Sequence, residues 1–525
     1  MQKQIVNLNQ LLHMNHFKHL AIAALLVLSA GSVTAKDNVD YVDPFIGTTN
    51  FSICNPGAIR PHGLMSVVPF NVMGSAVYEY NNKYFTGFAH VTLSGVGCPE
   101  MGTLLTMPTT GELNVDYHNY GSEYKNETAR PGYYSNVLTK YGIKCEVAAT
   151  MRSSIERYTF PGGKSNLLFN LGNGLTNEIG ASLRRVSDTE FEGTRLLGTF
   201  CYNPQAVFPM YFVVRVNKKP AAFGMWKKQP DLHNAQAQWD TYQGKYKLYP
   251  GYGRDMAGND IGYYMTYDLA KGEQVEVQVG VSFVSIEGAR ANLNAEQQGF
   301  NFDKTVADTR AEWANTLNRI SVEGGTDEQR RVLYTALYHS QIHPTVLQDV
   351  DGKYPKMESN ENGHTNSNRY TIYSLWDTYR NLSQLETLLY PDKQVDMINS
   401  MIDMYREWGW MPKWELFGRE TWTMEGDPSI PYITDAYMRG LRGFDIETAY
   451  KAFRTSATLP GKDNKMRPDI DPYIEKGYVP LGFYAADMSG DNSVSHALEY
   501  YLADNALSIL AKELGHNNDA KLFRQ

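Results

Sequence analysis

The feature that most constrains this chain is a change of hydrophobic period near Glu287. Before it, apolar residues alternate. Residues 274–283 set Val275, Val277, Val279, Val281 and Phe283 on one side of an extended chain, and 207–216 is a second β-branched run. Gly, Pro and Asn break many short runs of this kind, which predicts a β-sandwich over 38–288. After Glu287 the spacing becomes helical. Residues 289–317 read as helical and join two regions. Val332, Leu333, Ala336 and Leu337 then repeat at helical spacing, as do Val395, Ile398, Met401, Ile402 and Tyr405. A long run carries Val494, Ala497, Leu498, Tyr501, Leu502, Leu507, Ile509 and Leu510, and Gly515 stops it. Strands first and helices afterwards predict an α+β multidomain protein rather than an α/β alternation.

At 525 residues the chain exceeds one ordinary domain. Hydrophobic content of 42% with 20% charge is globular composition. A net charge of −8 without a long basic stripe argues against nucleic acid as a partner. Lys18 precedes an apolar run, 20–28, and Val33-Thr34-Ala35 offers small residues for cleavage before Lys36. Residues 1–35 therefore read as an export signal, with Met14 as an alternative start, and the run is too short for a membrane span. The expected location is periplasmic or secreted. Cys54, Cys98, Cys145 and Cys201 form no C-x-x-C pair, so disulfides and free buried thiols both stay open.

Residues 370–440 concentrate aromatic rings and carboxylates. Trp408, Trp410, Trp414 and Trp422 interleave with Glu407, Glu415, Glu420 and Glu425, and Trp376 adjoins Asp377. Sugars stack their apolar faces on such rings and donate hydroxyl hydrogen bonds to such carboxylates. Paired carboxylates also permit an acid/base reading of Glu415 and Glu420. His339 and His343 stand four apart, but Pro344 follows and no H-E-x-x-H register exists, so a zinc reading fails.

Ordered motifs run along most of the chain: Y-V-D-P-F-I-G-T (41–48), P-G-A-I-R-P-H-G (56–63), G-F-A-H-V-T-L-S-G-V-G-C (87–98), Y-T-A-L-Y-H-S (334–340), D-V-D-G-K-Y (349–354), S-L-W-D-T-Y-R (374–380) and W-M-P-K-W-E-L (410–416). Together they resemble glycoside hydrolase family 92, the calcium-dependent exo-α-mannosidases. The resemblance implies a β-sandwich (38–288), a helical linker (289–325) and part of an (α/α)6 barrel (326–525), with the active site between sandwich and barrel. It implies inverting hydrolysis of terminal non-reducing α-linked mannose from glycans, with Ca2+ as cofactor and no calcium ligands assignable here.

The resemblance also places residues. Asp377 should meet the terminal sugar's hydroxyls, or else cap a helix. Trp376 is either a stacking platform or core, and Arg380 either orients Asp377 or makes a surface ion pair. Glu415 and Glu420 belong to the cleft, or else satisfy loop amides. His90, Cys98 and Glu100 should reach the leaving-group subsite, or else lie in the core. The lack of Trp near Cys98, and Gly426-Asp427-Pro428-Ser429 in place of a Tyr-His pair, should alter the linkage cleaved. The acid of the family is expected in E-G-N-x-W-Q-Y and the base in G-N-D-D-x-G-Q-M-S-A-W-Y. Neither string occurs; Glu425-Gly426-Asp427 and Gly490-Asp491-Asn492 come nearest. The catalytic Glu and Asp are therefore expected beyond Gln525. A last helix starting near Asn518 and Asp519, with Leu522 and Phe523 its first apolar pair, has no stop signal before Gln525. These readings predict a C-terminally incomplete chain without catalytic carboxylates, and they leave a non-catalytic mannoside-binding protein as the alternative.

Overall fold

The computed structural model describes residues 37–49, 53–230, 242–482 and 492–524. The predicted export signal and the string at Gly490-Asp491 lie outside the described residues. So does Gln525, the residue beyond which the acid and base are expected.

Two antiparallel sheets fill the first half. The eight-stranded sheet runs in the order Ala58–Ile59, Ser66–Phe70, Gly87–Thr92, Met101–Thr110, Gly163–Asn170, Ile261–Leu269, Ala222–Lys228, Tyr246–Pro250. The ten-stranded sheet has Val207–Val216, Gln274–Ser282 and Ser153–Thr159 at its centre. The sheets share one core because the alternating residues of each point at the other. Phe169 meets Phe191 edge-on at 4.8 Å, Phe191 stacks on Tyr263 at 4.5 Å, and Phe88 meets Tyr134 at 5.9 Å. Val275, Val277, Val279 and Val281 are fully buried there, each contributing about 1.5–3 kcal/mol. Register holds them inward, with Val277 opposite Glu156 and opposite Val216, since a one-residue slip would turn the whole row outward.

The outer face of the Gln274–Ser282 strand is covered too. The helix Ile286–Glu296 lies on it, and Gly280 permits this approach. A Cβ at Gly280 would stand 2.6 Å from the Ala289 carbonyl and the Leu293 Cβ. The predicted helical connection is two helices, Ile286–Glu296 and Phe302–Leu317, separated at Gly299 (φ 79°).

From Asp327 onward helices dominate. Asp327–Ser340 opens with a capping box between Thr326 and Gln329. Pro391–Trp408 begins with proline and ends at Gly409 (φ 92°), burying Met397, Ile398, Met401, Ile402 and Met404. Two predicted faces are corrected. Val332 and Leu333 are exposed while Tyr334, Thr335, Leu337 and Tyr338 face inward. In Ser493–Glu513, Val494, Leu498, Tyr501, Leu502 and Ile509 are exposed, and His496, Ala497, Tyr500, Ala503, Leu507 and Leu510 are buried. Apolar residues surround much of that helix, so periodicity alone did not select the inward stripe. The last described helix is Asn517–Leu522, with Leu522 exposed and Phe523 buried.

Sheets and helices are locked together by side chains from both. Phe283 stacks on Phe417 at 4.0 Å and Phe200 on Trp414 at 4.4 Å. Trp313 donates its indole N–H to the Ile59 carbonyl at 2.7 Å, and the His62 amide donates to the Gln341 carbonyl at 2.8 Å. These contacts fix the position of the sheet loops against the helix ends, where the site lies.

Candidate active site

A cavity of about 350 Å3 lies where the two halves meet. The sheet side supplies Ser94–Cys98 from one loop (residues 94–98) and Phe200 and Cys201 from another. The Cys98–Cys201 disulfide joins these loops, with Cα atoms 5.6 Å apart. That decides the open cysteine question for this pair, while Cys54 and Cys145 are free. The helical side supplies His339, His343, Tyr373, Asp377, Glu386, Trp414 and Tyr432 among others. The Ser94 amide donates to His343 Nε2 at 3.1 Å, so one wall is bonded directly to the other. Rings and methyl-bearing side chains make most of the lining, with a few polar groups between them, the usual make-up of a small-ligand site.

Asp377 lines the cavity. It sits in the short helix Leu375–Thr378, exposed toward the cavity, and accepts a hydrogen bond from Ser374 Oγ. Its neighbours behave otherwise. Trp376 does not line the cavity; the Arg380 guanidinium lies 4.4 Å over its ring. Arg380 feels the Asp377 charge but spends its hydrogen bonds elsewhere. It donates to Glu499 at 2.7 Å and to the Trp376 carbonyl at 3.1 Å, so the ion-pair reading replaces the orienting one.

Glu415 and Glu420 are both off the cavity and fully buried. Glu415 accepts from the amides of Ile372 (3.1 Å) and Gly418 (2.6 Å) and from Thr371 Oγ1 (3.0 Å). Glu420 accepts from the amides of Lys413 (2.8 Å), Trp414 (2.9 Å) and Trp422 (3.0 Å). They satisfy loop amides, and neither is available as an acid or a base. Burial pushes Glu415 up to about 7. Of the four tryptophans between Trp408 and Trp422, Trp414 lines the cavity, and Glu407 is taken up by Arg369 (3.0 Å) and Tyr354 (2.8 Å).

The sheet residues divide. Cys98 is in the wall. His90 is core: its Nδ1 lies 2.7 Å from the Leu104 carbonyl and its Nε2 2.7 Å from Glu156, bridging the two sheets. Glu100 is buried behind the disulfide loop and does not line the cavity. It accepts from the Met101 (3.0 Å) and Gly198 (3.2 Å) amides, and desolvation pushes it up to about 7. Asp427, within the string that stands in place of the Tyr-His pair, is buried against Arg467 (3.2 Å).

Residues 41–282 match the N-terminal domain of glycosyl hydrolase family 92, and residues 288–525 match its catalytic domain. The chain belongs to glycosyl hydrolase family 92. Its fold is similar to that of a family GH92 alpha-mannosidase from Bacteroides thetaiotaomicron, with TM-score 0.81 and 27% identity over 93% of this chain and 64% of that one. The same enzyme is known in complex with mannoimidazole. A family GH92 inverting mannosidase from the same organism shares the fold at TM-score 0.78 and 24% identity, over 94% of this chain and 64% of its own. An uncharacterized secreted glycosidase of Arthroderma benhamiae is 24% identical over 97% of this chain and 64% of its own length. The chain thus spans about 64% of the length of these relatives.

The side chains lining this cavity do not by themselves make a calcium site. Among the described residues no three His, Cys, Asp or Glu side chains group as around a metal ion. The cavity's carboxylates are Asp377 and Glu386, against the roughly six to eight oxygens that calcium takes. Sequence reasoning missed Glu386 and set His339 and His343 aside as structural. Glu386 could have been noticed as the lone acid in a leucine-rich helix, Leu382–Leu389. Burial holds both histidines neutral, at about 4.

Proposed function

We propose that these residues form the sugar-gripping part of an exo-acting α-mannosidase of family 92, which releases terminal non-reducing α-linked mannose from glycans with inversion. The observation that carries this reading is Asp377 in a cavity walled by both halves of the chain, beside Tyr373, Phe200 and Trp414. Asp377 would accept hydrogen bonds from hydroxyls of the terminal sugar while the rings cover its apolar face. The rigid disulfide-tied loop and the Ser94–His343 bond would keep water from the buried side of the ring. Family membership and the mannoimidazole complex of the Bacteroides relative support mannose as the sugar.

Inverting hydrolysis needs a carboxylic acid on the leaving oxygen and a carboxylate activating water on the opposite face. The strings expected to carry them are absent from the sequence up to Gln525. These residues alone should therefore bind a mannoside without cleaving it. We also propose Ca2+ for the complete reaction, with ligands beyond those lining this cavity. The helical region 326–525 is proposed as part of an (α/α)6 barrel, linked by 289–325 to the sandwich at 38–288. The run at 1–35 and the secreted relative support export. Among the described residues no helix is long and apolar enough to cross a membrane.

The test is to offer the chain 4-nitrophenyl α-mannoside and methyl α-mannoside. Binding of both without release of nitrophenol is expected. Turnover would overturn the assignment of the acid and base, and failure to bind either would overturn the reading of the cavity.

A further inference from the structure

Three groups at the floor of the cavity carry buried polar atoms with no hydrogen-bond partner: Glu386 Oε2, His343 Nδ1 and His339 Nε2. Glu386 is only 1% exposed. Such atoms are costly at this depth unless a ligand or solvent pairs with them. For His343 and Glu386 the hydrogen positions follow from their other contacts. The Ser94 amide donates to His343 Nε2, so the proton of the neutral ring sits on Nδ1, a buried donor with no partner on a residue that lines the cavity.

Glu386 is settled by a longer chain of contacts. His62 is buried, its Nδ1 lies 2.8 Å from the Pro344 carbonyl, and its Nε2 lies 3.1 Å from the Gln341 side-chain oxygen. Both neighbours are acceptors, and a neutral imidazole has one proton. Burial keeps this ring neutral, with its pKa at about 3. Gln341 also meets Glu386, with its amide nitrogen toward Oε1. Turning the Gln341 amide over removes the conflict at His62, since oxygen and nitrogen there are assigned from the network, and gives up the longer Gln341 contact to Ser340 Oγ (3.3 Å), whose hydroxyl donates to the Leu337 carbonyl. The amide N–H then donates to His62 Nε2, and its oxygen accepts from Glu386, which must hold a proton on Oε1. The carboxyl is then neutral, as its burial favours and the nearby Lys393 charge opposes, and Oε2 is an acceptor with no partner.

We propose that Glu386 and His343 form a hydroxyl-binding subsite at the floor of this cavity, the neutral carboxyl accepting from a ligand hydroxyl and the His343 Nδ1–H donating to a ligand oxygen. The ligand class is a polyhydroxy ring such as a glycoside. This rests on the reading of the cavity as a glycoside site. It adds two specificity-determining residues, one of them an uncharged acid.

The test is calorimetric titration of the chain and its variants with methyl α-mannoside, its monodeoxy analogues, and the corresponding glucoside and galactoside. Glu386→Leu and His343→Leu should each weaken binding roughly tenfold, the loss of one buried hydrogen bond with a partner left unpaired. For Glu386→Leu that loss should vanish with one particular monodeoxy analogue. Glu386→Gln should restore most of the affinity, because an amide can accept from the ligand while donating to Gln341. This last result separates a neutral acid from a carboxylate, whose charge glutamine could not replace. The comparison between analogues is made within one folded variant, so a general loss of stability cannot imitate it. Glucoside or galactoside binding with the same dependence on both residues, without mannoside binding, would overturn the mannose reading and keep the subsite. Leucine variants that bind every ligand as the unaltered chain does, or an unaltered chain that binds none, would overturn the subsite.

Discussion

Glu415 and Glu420 stand directly opposite each other on the paired strands Trp414–Leu416 and Arg419–Glu420, yet both carboxylates turn to backbone amides. Two facing carboxylates look like a glycosidase pair in sequence; here they brace the hairpin that presents Trp414 to the cavity. Replacing Glu415 with Ala should cost about 2–4 kcal/mol, because the Ile372 and Gly418 amides and the Thr371 hydroxyl lose their acceptor. Denaturant unfolding checks this. Glu420→Gln should keep mannoside affinity within about twofold, because Glu420 does not line the cavity.

His90 and Glu156 join the two sheets through a core that is otherwise largely apolar, with Tyr158 also donating to Glu156. His90→Ala leaves one buried Glu156 oxygen and the Leu104 carbonyl without this partner and should lower stability by at least about 2 kcal/mol. Thermal unfolding followed by circular dichroism reads the loss, and an unchanged melting temperature would remove His90 from the core account.

The Cys98–Cys201 disulfide closes a separation of 103 residues and ties both sheet loops of the cavity wall. Cys98→Ser with Cys201→Ser should destabilise by about 2–4 kcal/mol. Because the loops also form the wall, ligand affinity measured in the folded variant should fall as well. Reductant added to the unaltered chain should reproduce both effects.

Stability should peak at mildly acidic pH. Burial lowers His62 to about 3 and His339 and His343 to about 4. Their stabilisation is present above their unfolded value, about 6.5, and is lost as pH falls through those lower values. Burial raises Glu100, Glu386 and Glu415 to about 7. Their contribution is present below about 4.5 and is lost as pH rises through about 7. The melting temperature should therefore be highest between about pH 5 and 6.5. Glu100→Gln should flatten the alkaline side of that curve, which a pH series of melting curves would show.

The architecture was legible because it depends on neighbours in sequence: alternation fixed the inward row of the Gln274–Ser282 strand, and Gly515 marked the end of the helix Ser493–Glu513. Of the residues expected to bind substrate, Asp377 and Cys98 line the cavity, and both sit in distinctive motifs. The rest depends on which side of an element a residue occupies and on contacts across the chain. His90 and Glu100 fall on strand positions turned into the protein, and Ser94 finds His343 across 249 residues. Glu386 needed Gln341 and His62 beside it before its role could be read.

The central claim is that Asp377 holds a terminal mannose in the cavity between sheets and helices. Calorimetric titration of methyl α-mannoside into the chain and into Asp377→Asn tests it most directly. The account predicts saturable binding with one site, weakened roughly 10- to 100-fold in the variant by loss of a charge-assisted hydrogen bond. Equal affinity in the two proteins would contradict it.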